Sequence, residues 1–166
     1  RCCTQNGIRG GSATVHFPIW HQEIEDIIVL KNNKGTEDNR VRKLDYSIQL
    51  SSLFYQRFID DESISLFSPH SVPGLYDAFG TTSFDELYVA YEADDRIPRK
   101  TIKAQELILA LLKERAETGR IYLMNIDHCN SHSSFIDKVE MSNLCQEITL
   151  PTKPIQHIDD ETGEIA

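Results

Sequence analysis

Apolar and polar positions along this chain follow two periods. Residues 13–17 (Ala13-Thr14-Val15-His16-Phe17), 45–50 (Asp45-Tyr46-Ser47-Ile48-Gln49-Leu50) and 63–67 (Ser63-Ile64-Ser65-Leu66-Phe67) read as short strands, the second with clear alternation of polarity. Pro18 ends the first strand, and Ser68-Pro69-His70 closes the third. Between them the spacing becomes helical. Trp20, Ile24, Ile27, Ile28 and Lys31 predict a helix over 20–30 that stops in Asn32-Asn33-Lys34-Gly35. Leu53, Phe54, Arg57 and Phe58 predict another, capped by Ser51 or Ser52. Strand, helix, strand, helix, strand is the order of βα units around a largely parallel sheet.

Residues 71–118 read as mostly helical. Ser83 and Glu86 have capping-box spacing, with Phe84, Leu87, Tyr88 and Tyr91 as the apolar stripe behind them. Asp94-Asp95-Arg96-Ile97-Pro98 breaks that helix. A longer one is predicted over 101–118, with Ala104, Leu107, Ile108, Leu111 and Leu112 on one face and Gly119 as its stop. Residues 120–124 form a further strand, followed by a polar loop holding His128, Cys129 and His132. Three potential ligands within five residues, with no second cluster, make a weak zinc signal, so no metal site is assigned. A polar loop at the carboxyl end of a strand is the simpler reading, and in α/β proteins that end usually carries the site.

The chemistry concentrates in Ser142-Asn143-Leu144-Cys145-Gln146-Glu147. An amide, a thiol and a carboxylate stand at every second position, so in an extended segment they share one side. On spacing alone, a half-buried strand with a structural cysteine accounts for the pattern. As a reaction centre it would set a thiol between a hydrogen-bonding amide and a potential base. At the other end, residues 1–12 are glycine-rich and polar, and read as a loop that lets a backbone or ligand approach closely. The loop lacks the lysine and spacing of a P-loop. Arg9, between Gly7 and Gly10, is its one residue with ligand-reading chemistry.

Composition narrows the picture. The 166 residues are enough for one domain with a core. A net charge of −9 argues against a nucleic-acid surface, while a nest of backbone N–H groups could still hold a small anion. No apolar run approaches the ~20 residues of a membrane span. The four cysteines (Cys2, Cys3, Cys129 and Cys145) form neither a disulfide framework nor a paired zinc motif, which points to a reducing, cytoplasmic setting. The chain opens on Arg1 without an initiator methionine, so it is expected to begin in mid-protein.

From Ser142 through Ile148-Thr149-Leu150-Pro151-Thr152-Lys153-Pro154 the chain resembles the large subunit of class I ribonucleoside-diphosphate reductase. The resemblance extends to Gly7-Ile8-Arg9-Gly10-Gly11, Leu30-Lys31-Asn32-Asn33, Val72-Pro73-Gly74-Leu75-Tyr76-Asp77-Ala78-Phe79, Thr118-Gly119-Arg120-Ile121-Tyr122 and Asp127-His128-Cys129-Asn130. It implies an internal portion of that subunit, a single incomplete domain from a ten-stranded α/β barrel of two parallel half-barrels. Residues 142–147 would be the finger loop inside the barrel and 1–12 the specificity loop.

By that resemblance Cys145 becomes a thiyl radical that abstracts the 3′ hydrogen of a ribonucleoside diphosphate. Glu147 takes the 3′-hydroxyl proton, Asn143 orients the sugar and the carboxylate, and Ser142 joins them in binding substrate. Arg9 contacts the base, and Gln5 senses it with Arg9. Cys3, Gln5, Asn6, Gly7, Arg9 and Gly10 make up the loop between effector and substrate. The chain itself is expected to bind no cofactor, because a metal–radical cofactor sits in a separate small subunit. ATP and deoxynucleotides act as effectors on the complete subunit. The implied partners are that small subunit, a second large subunit, and thioredoxin or glutaredoxin. Neither redox cysteine is expected within the chain: one lies upstream and the other just beyond Ala166. A non-catalytic nucleotide-binding or assembly module that has kept the fold is the alternative, and the complete trio argues against such decay.

Overall fold

The computed structural model describes residues 4–32, 34, 41 and 44–152. Cys2, Cys3, Asn33, Gly35 and everything after Thr152, for which the sequence carries expectations, lie outside the described residues. The N-terminal segment is a small hairpin, with β1 (Thr4–Gln5) antiparallel to β2 (Arg9–Gly10). Its turn runs through Asn6 at φ 50° and Gly7 at φ 73°. Both are residues that tolerate the left-handed region, which is why a two-stranded turn forms where glycines alone suggested only a loop.

The centre is a parallel sheet of β3 (Thr14–Pro18), β4 (Asp45–Leu50) and β7 (Ile121–Asn125), in the order β3-β4-β7. Its register pairs His16 with Ser47, and Ser47 with Tyr122. Paired residues on parallel strands share a face, so the sheet has two unlike sides. One carries Val15, Phe17, Tyr46, Ile48, Leu50 and Ile121. The last four of these are at most 1% exposed and belong to the core. The other carries Thr14, His16, Ser47, Gln49 and Met124. Parallel sheets are usually apolar on both faces. This one buries Ser47 and Gln49 instead.

Several expectations are corrected. The helix predicted over 20–30 is only α1 (Ile24–Ile28). The backbone before it is taken by a strand: Trp20 O accepts from Phe67 N–H at 2.8 Å, and Gln22 N–H donates to Phe67 O at 2.9 Å. That strand, β5 (Ser63–Phe67), lies outside the parallel sheet and pairs antiparallel with β6 (Arg99–Lys103). No periodicity announced β6, because Ile102 is its one buried residue and the others are solvated, as suits an edge. The long helix therefore starts later, as α5 (Ala104–Thr118), and its Leu112 is 42% exposed rather than on the buried face.

Two caps also differ. Ser83 precedes α4 (Phe84–Ala93) but already has helical backbone angles, and its hydroxyl pairs with Thr81 at 2.9 Å. Ser51 precedes α2 (Ser52–Ile59) without capping it. The carboxylate of Asp127 accepts the Ser52 N–H at 2.7 Å instead. Asp127 lies in α6 (Ile126–Ser131), a short helix where a polar loop was expected. Between α3 (Leu75–Ala78) and α4, Gly80 has φ 88°, and a Cβ there would come within 2.8 Å of Ile126 Cγ1. α6 thus packs directly on backbone.

Candidate functional site: the loop on the polar face

Residues 139–150 cross the polar face of the parallel sheet. The segment is bracketed first by Asn130, whose amide accepts the Val139 N–H at 2.8 Å and donates to Val139 O at 3.0 Å. Gln49 Nε2 then donates to Glu140 O at 2.7 Å. From Ser142 the chain turns back on itself. The Gln146 N–H reaches Asn143 O at 3.1 Å, and Gln146 has φ 65°. The Ser142 hydroxyl donates to Ile148 O at 2.6 Å, which closes the base of the loop.

The extended conformation inferred from i, i+2, i+4 spacing is therefore replaced by a turn. Strand pairing would need partners for both edges, and local bonds satisfy this backbone instead. Asn143, Cys145 and Glu147 remain together on one loop. Cys145 and Glu147 are exposed and Asn143 is half-buried. Asn143 Oδ1 accepts the Ile148 N–H at 3.0 Å, which orients the amide and leaves Nδ2 as its remaining donor.

Three contacts fasten the loop to the sheet. Thr14 Oγ1 donates to Leu144 O at 3.0 Å, His16 Nε2 lies 3.1 Å from Ser142 O, and Gln146 Nε2 donates to Ser47 Oγ. Sequence reasoning gave Thr14 and Ser47 no role and read His16 as a core-packing residue or, less simply, a ligand. Their signal was the polar half of the alternation in 45–50, which marks a strand face that something polar must cover. Burial pushes the His16 imidazole below its ordinary value of 6.5, opposed in part by the bond to Ser142.

Beside the loop, a cavity of ≈ 340 Å³ is lined by Met124, Asn125, His128, Cys129, Ser142 and Gln146, among others. That size suits a small ligand. Burial, then the Asp127 carboxylate, pushes the Cys129 thiol up, so it is held as the neutral thiol. A larger cleft of ≈ 480 Å³ includes Gly80, Asp85, Asp127 and Lys138 but none of residues 142–147. Burial and the nearby Asp127 raise the Asp85 carboxyl. The smaller cavity is the one that meets the loop.

Among the described residues, no three His, Cys, Asp or Glu side chains come together as a metal site. His128 and His132 lie one helical turn apart with ring centroids at 6.1 Å. Arg9, with Asn6, Gly7 and Gly10, is exposed on the β1–β2 hairpin. No hydrogen bond among the described residues joins it to the loop at 142–148. No helix of the described residues is long and apolar enough to cross a membrane.

The sequence profile described as "Ribonucleotide reductase, barrel domain" matches residues 1–159. The ribonucleoside-diphosphate reductase subunit alpha of Haemophilus influenzae is 57% identical over 171 aligned positions, covering 100% of this chain and 23% of that protein. Subunit alpha of reductase 1 from Escherichia coli is 53% identical, over 93% of this chain and 21% of its own length. The counterpart from Enterobacteria phage T4 is 47% identical, over 98% and 22%. The chain thus spans about a fifth of the length of these curated relatives.

Proposed function

The chain belongs to the ribonucleotide reductase barrel-domain family, and we propose that it is the part of a class I catalytic subunit that carries the radical loop. The three parallel strands are then an arc of a ten-stranded barrel, the loop at 142–147 is its inner finger, and residues 1–12 are its specificity loop. The reaction is reduction of a ribonucleoside diphosphate to the 2′-deoxy form.

Cys145 is suited to the hydrogen-abstracting step because sulfur is easily oxidised. A radical-generating small subunit supplies the oxidising equivalent that removes the thiol hydrogen. The resulting thiyl takes the 3′ hydrogen of the sugar and returns to the thiol. Glu147 accepts the 3′-hydroxyl proton, a transfer that needs hydrogen-bonding reach. Asn143 Nδ2 donates to the sugar and, with Ser142, holds it in one pose, so that the radical meets one C–H bond. Water leaves from the 2′ position, a pair of redox cysteines supplies two electrons as it closes to a disulfide, and Cys145 returns the hydrogen to the 3′ carbon, which restores the thiyl; thioredoxin or glutaredoxin then reduces the disulfide. Arg9 reads the base, under effectors bound where two large subunits meet. The setting is the cytoplasm.

What supports this reading is an exposed thiol flanked by Asn143 and Glu147 on a loop pinned to a polar sheet face. The test is Cys145→Ser in the full-length subunit, assayed with its small subunit and a dithiol reductant. Deoxynucleotide formation is expected to vanish while nucleoside diphosphate still binds. Appreciable product from the serine variant would overturn the assignment.

A further inference from the structure

The three fastenings of the loop follow a pattern. Thr14 and His16 stand two residues apart on β3 and so project from one face. They reach the carbonyls of Leu144 and Ser142, also two apart and in reverse order. Ser47, the register partner of His16 on β4, takes the side chain of Gln146. The backbone at 142 and 144 and the side chain of 146 are thereby tied to the sheet, and the side chains of Leu144, Cys145 and Glu147 are left exposed.

We propose that His16 is a positioning residue for the Cys145 loop: its imidazole Nε2, bonded to the Ser142 backbone at the loop's base, sets which side chains of the loop face substrate. The proposal deepens the reading above and rests on it for the identity of that substrate. His16 is tied to this task by the state of its ring. Nε2 lies 3.1 Å from Ser142 O and 3.4 Å from Ser142 N. With the proton on Nε2 the ring donates to the carbonyl at the shorter contact; with the proton on Nδ1 it would accept the Ser142 N–H instead. Nδ1 is buried and has no hydrogen-bond partner among the described residues. A proton there would be a buried donor without an acceptor, which is costly. Burial lowers the imidazole pKa in the same sense. The ring is therefore a neutral strut with one donor, already used. Its other nitrogen, Nδ1, is buried and so is not open to exchange a proton with substrate, and the ring's influence on the reaction runs through the position of Ser142.

Position matters here because a misplaced radical attacks the wrong bond, and small displacements of a reacting group cost large factors in rate. Two variants of the full-length subunit separate the strut from simple packing. His16→Phe keeps the ring and loses the donor. His16→Gln keeps a donor near the place of Nε2. Hydrogen–deuterium exchange of the 142–148 amides reports the anchoring directly, and turnover reports its consequence.

For the Phe variant, exchange in 142–148 is expected to rise about fivefold or more, while α5 is unchanged, as local opening becomes easier. Its turnover is expected to fall about tenfold, with KM for the nucleoside diphosphate within about twofold. The Gln variant is expected to recover both quantities to within about threefold. Wild-type exchange and turnover in the Phe variant would overturn the proposal, and so would a Gln variant as impaired as Phe. If the Phe variant fails to fold, His16→Asn replaces it with the same expected losses, because its amide falls short of Ser142. If exchange responds as expected but the wild-type subunit reduces no substrate, the anchor stands and the functional reading falls.

Discussion

Replacing Tyr88 with Phe removes one oxygen from a fully buried position and leaves two backbone groups without partners. The Tyr88 hydroxyl accepts the Ser65 N–H at 2.8 Å and donates to Ser65 O at 2.7 Å. Ser65 is 4% exposed and Tyr88 0%, so water does not readily take the oxygen's place. Along the same edge of β5, two residues on, Trp20 and Gln22 take the N–H and C=O of Phe67. The hydroxyl is thus the seal on an edge strand that otherwise has no partner at Ser65. Each orphaned buried group costs about 1–3 kcal/mol. The ring contacts survive the change, including the Arg57 guanidinium 5.2 Å from the ring centroid. With the lower half of that range for each group, the expected loss is about 2–4 kcal/mol. Burial, then Glu92, holds the phenol far above its usual pKa, so the bond pair is present at any working pH.

Urea unfolding followed through the fluorescence of Trp20, the chain's single tryptophan, measures this loss. At a slope of about 2 kcal/mol per molar, the midpoint should fall by about 1–2 M. Tyr91→Phe is the internal control, because its hydroxyl donates to Pro73 O at 2.7 Å in an exposed setting. That variant should lose less than about 1 kcal/mol. A Tyr88 variant within about 0.5 kcal/mol of wild type, or no worse than the Tyr91 control, would refute the reasoning that an unpaired edge is what the hydroxyl prevents.

Other changes test other joints. Gly80→Ala forces a side chain onto φ 88° and sets its Cβ 2.8 Å from Ile126 Cγ1; the same titration should show a loss of about 2–4 kcal/mol from backbone strain and overpacking together. Asp127→Ala removes the distant cap of α2 and should cost about 1–2 kcal/mol. It should also move alkylation of Cys129, read peptide by peptide in mass spectrometry, to lower pH, though only in part, because burial is the larger cause of the raised thiol. His16 predicts a pH dependence of stability. Its folded pKa is depressed below 6.5, so the folded state resists a proton that the unfolded chain accepts. Stability is full above that value and is lost as pH falls through the window beneath it. The urea midpoint of wild type should therefore drop more between pH 7.5 and pH 5.5 than that of His16→Gln; equal drops would count against it.

Local patterns were enough for the strands at 13–17, 45–50 and 120–124, for most of α5 and for the stop at Gly119, because alternation, helical spacing and a glycine C-cap act over a few neighbouring residues. The same short range put Asn143, Cys145 and Glu147 together in one segment. It could not say that the segment turns. The conformation at Gln146 depends on Asn143, Ile148, Thr14, His16 and Ser47, and the last three are 99 or more residues away in sequence from the loop atoms they bond. β6 was illegible for a related reason: an edge strand of lysines, arginine and threonine is a strand only because β5 lies beside it. α1 was overextended because Trp20 and Gln22 look helical until Phe67 claims their backbone. The residues by themselves determined that the loop at 142–147 carries an amide, a thiol and a carboxylate. Which side of the loop is tied down and which is left exposed was decided by contacts between distant segments, because those bonds form only after β3, β4 and the loop have been brought together.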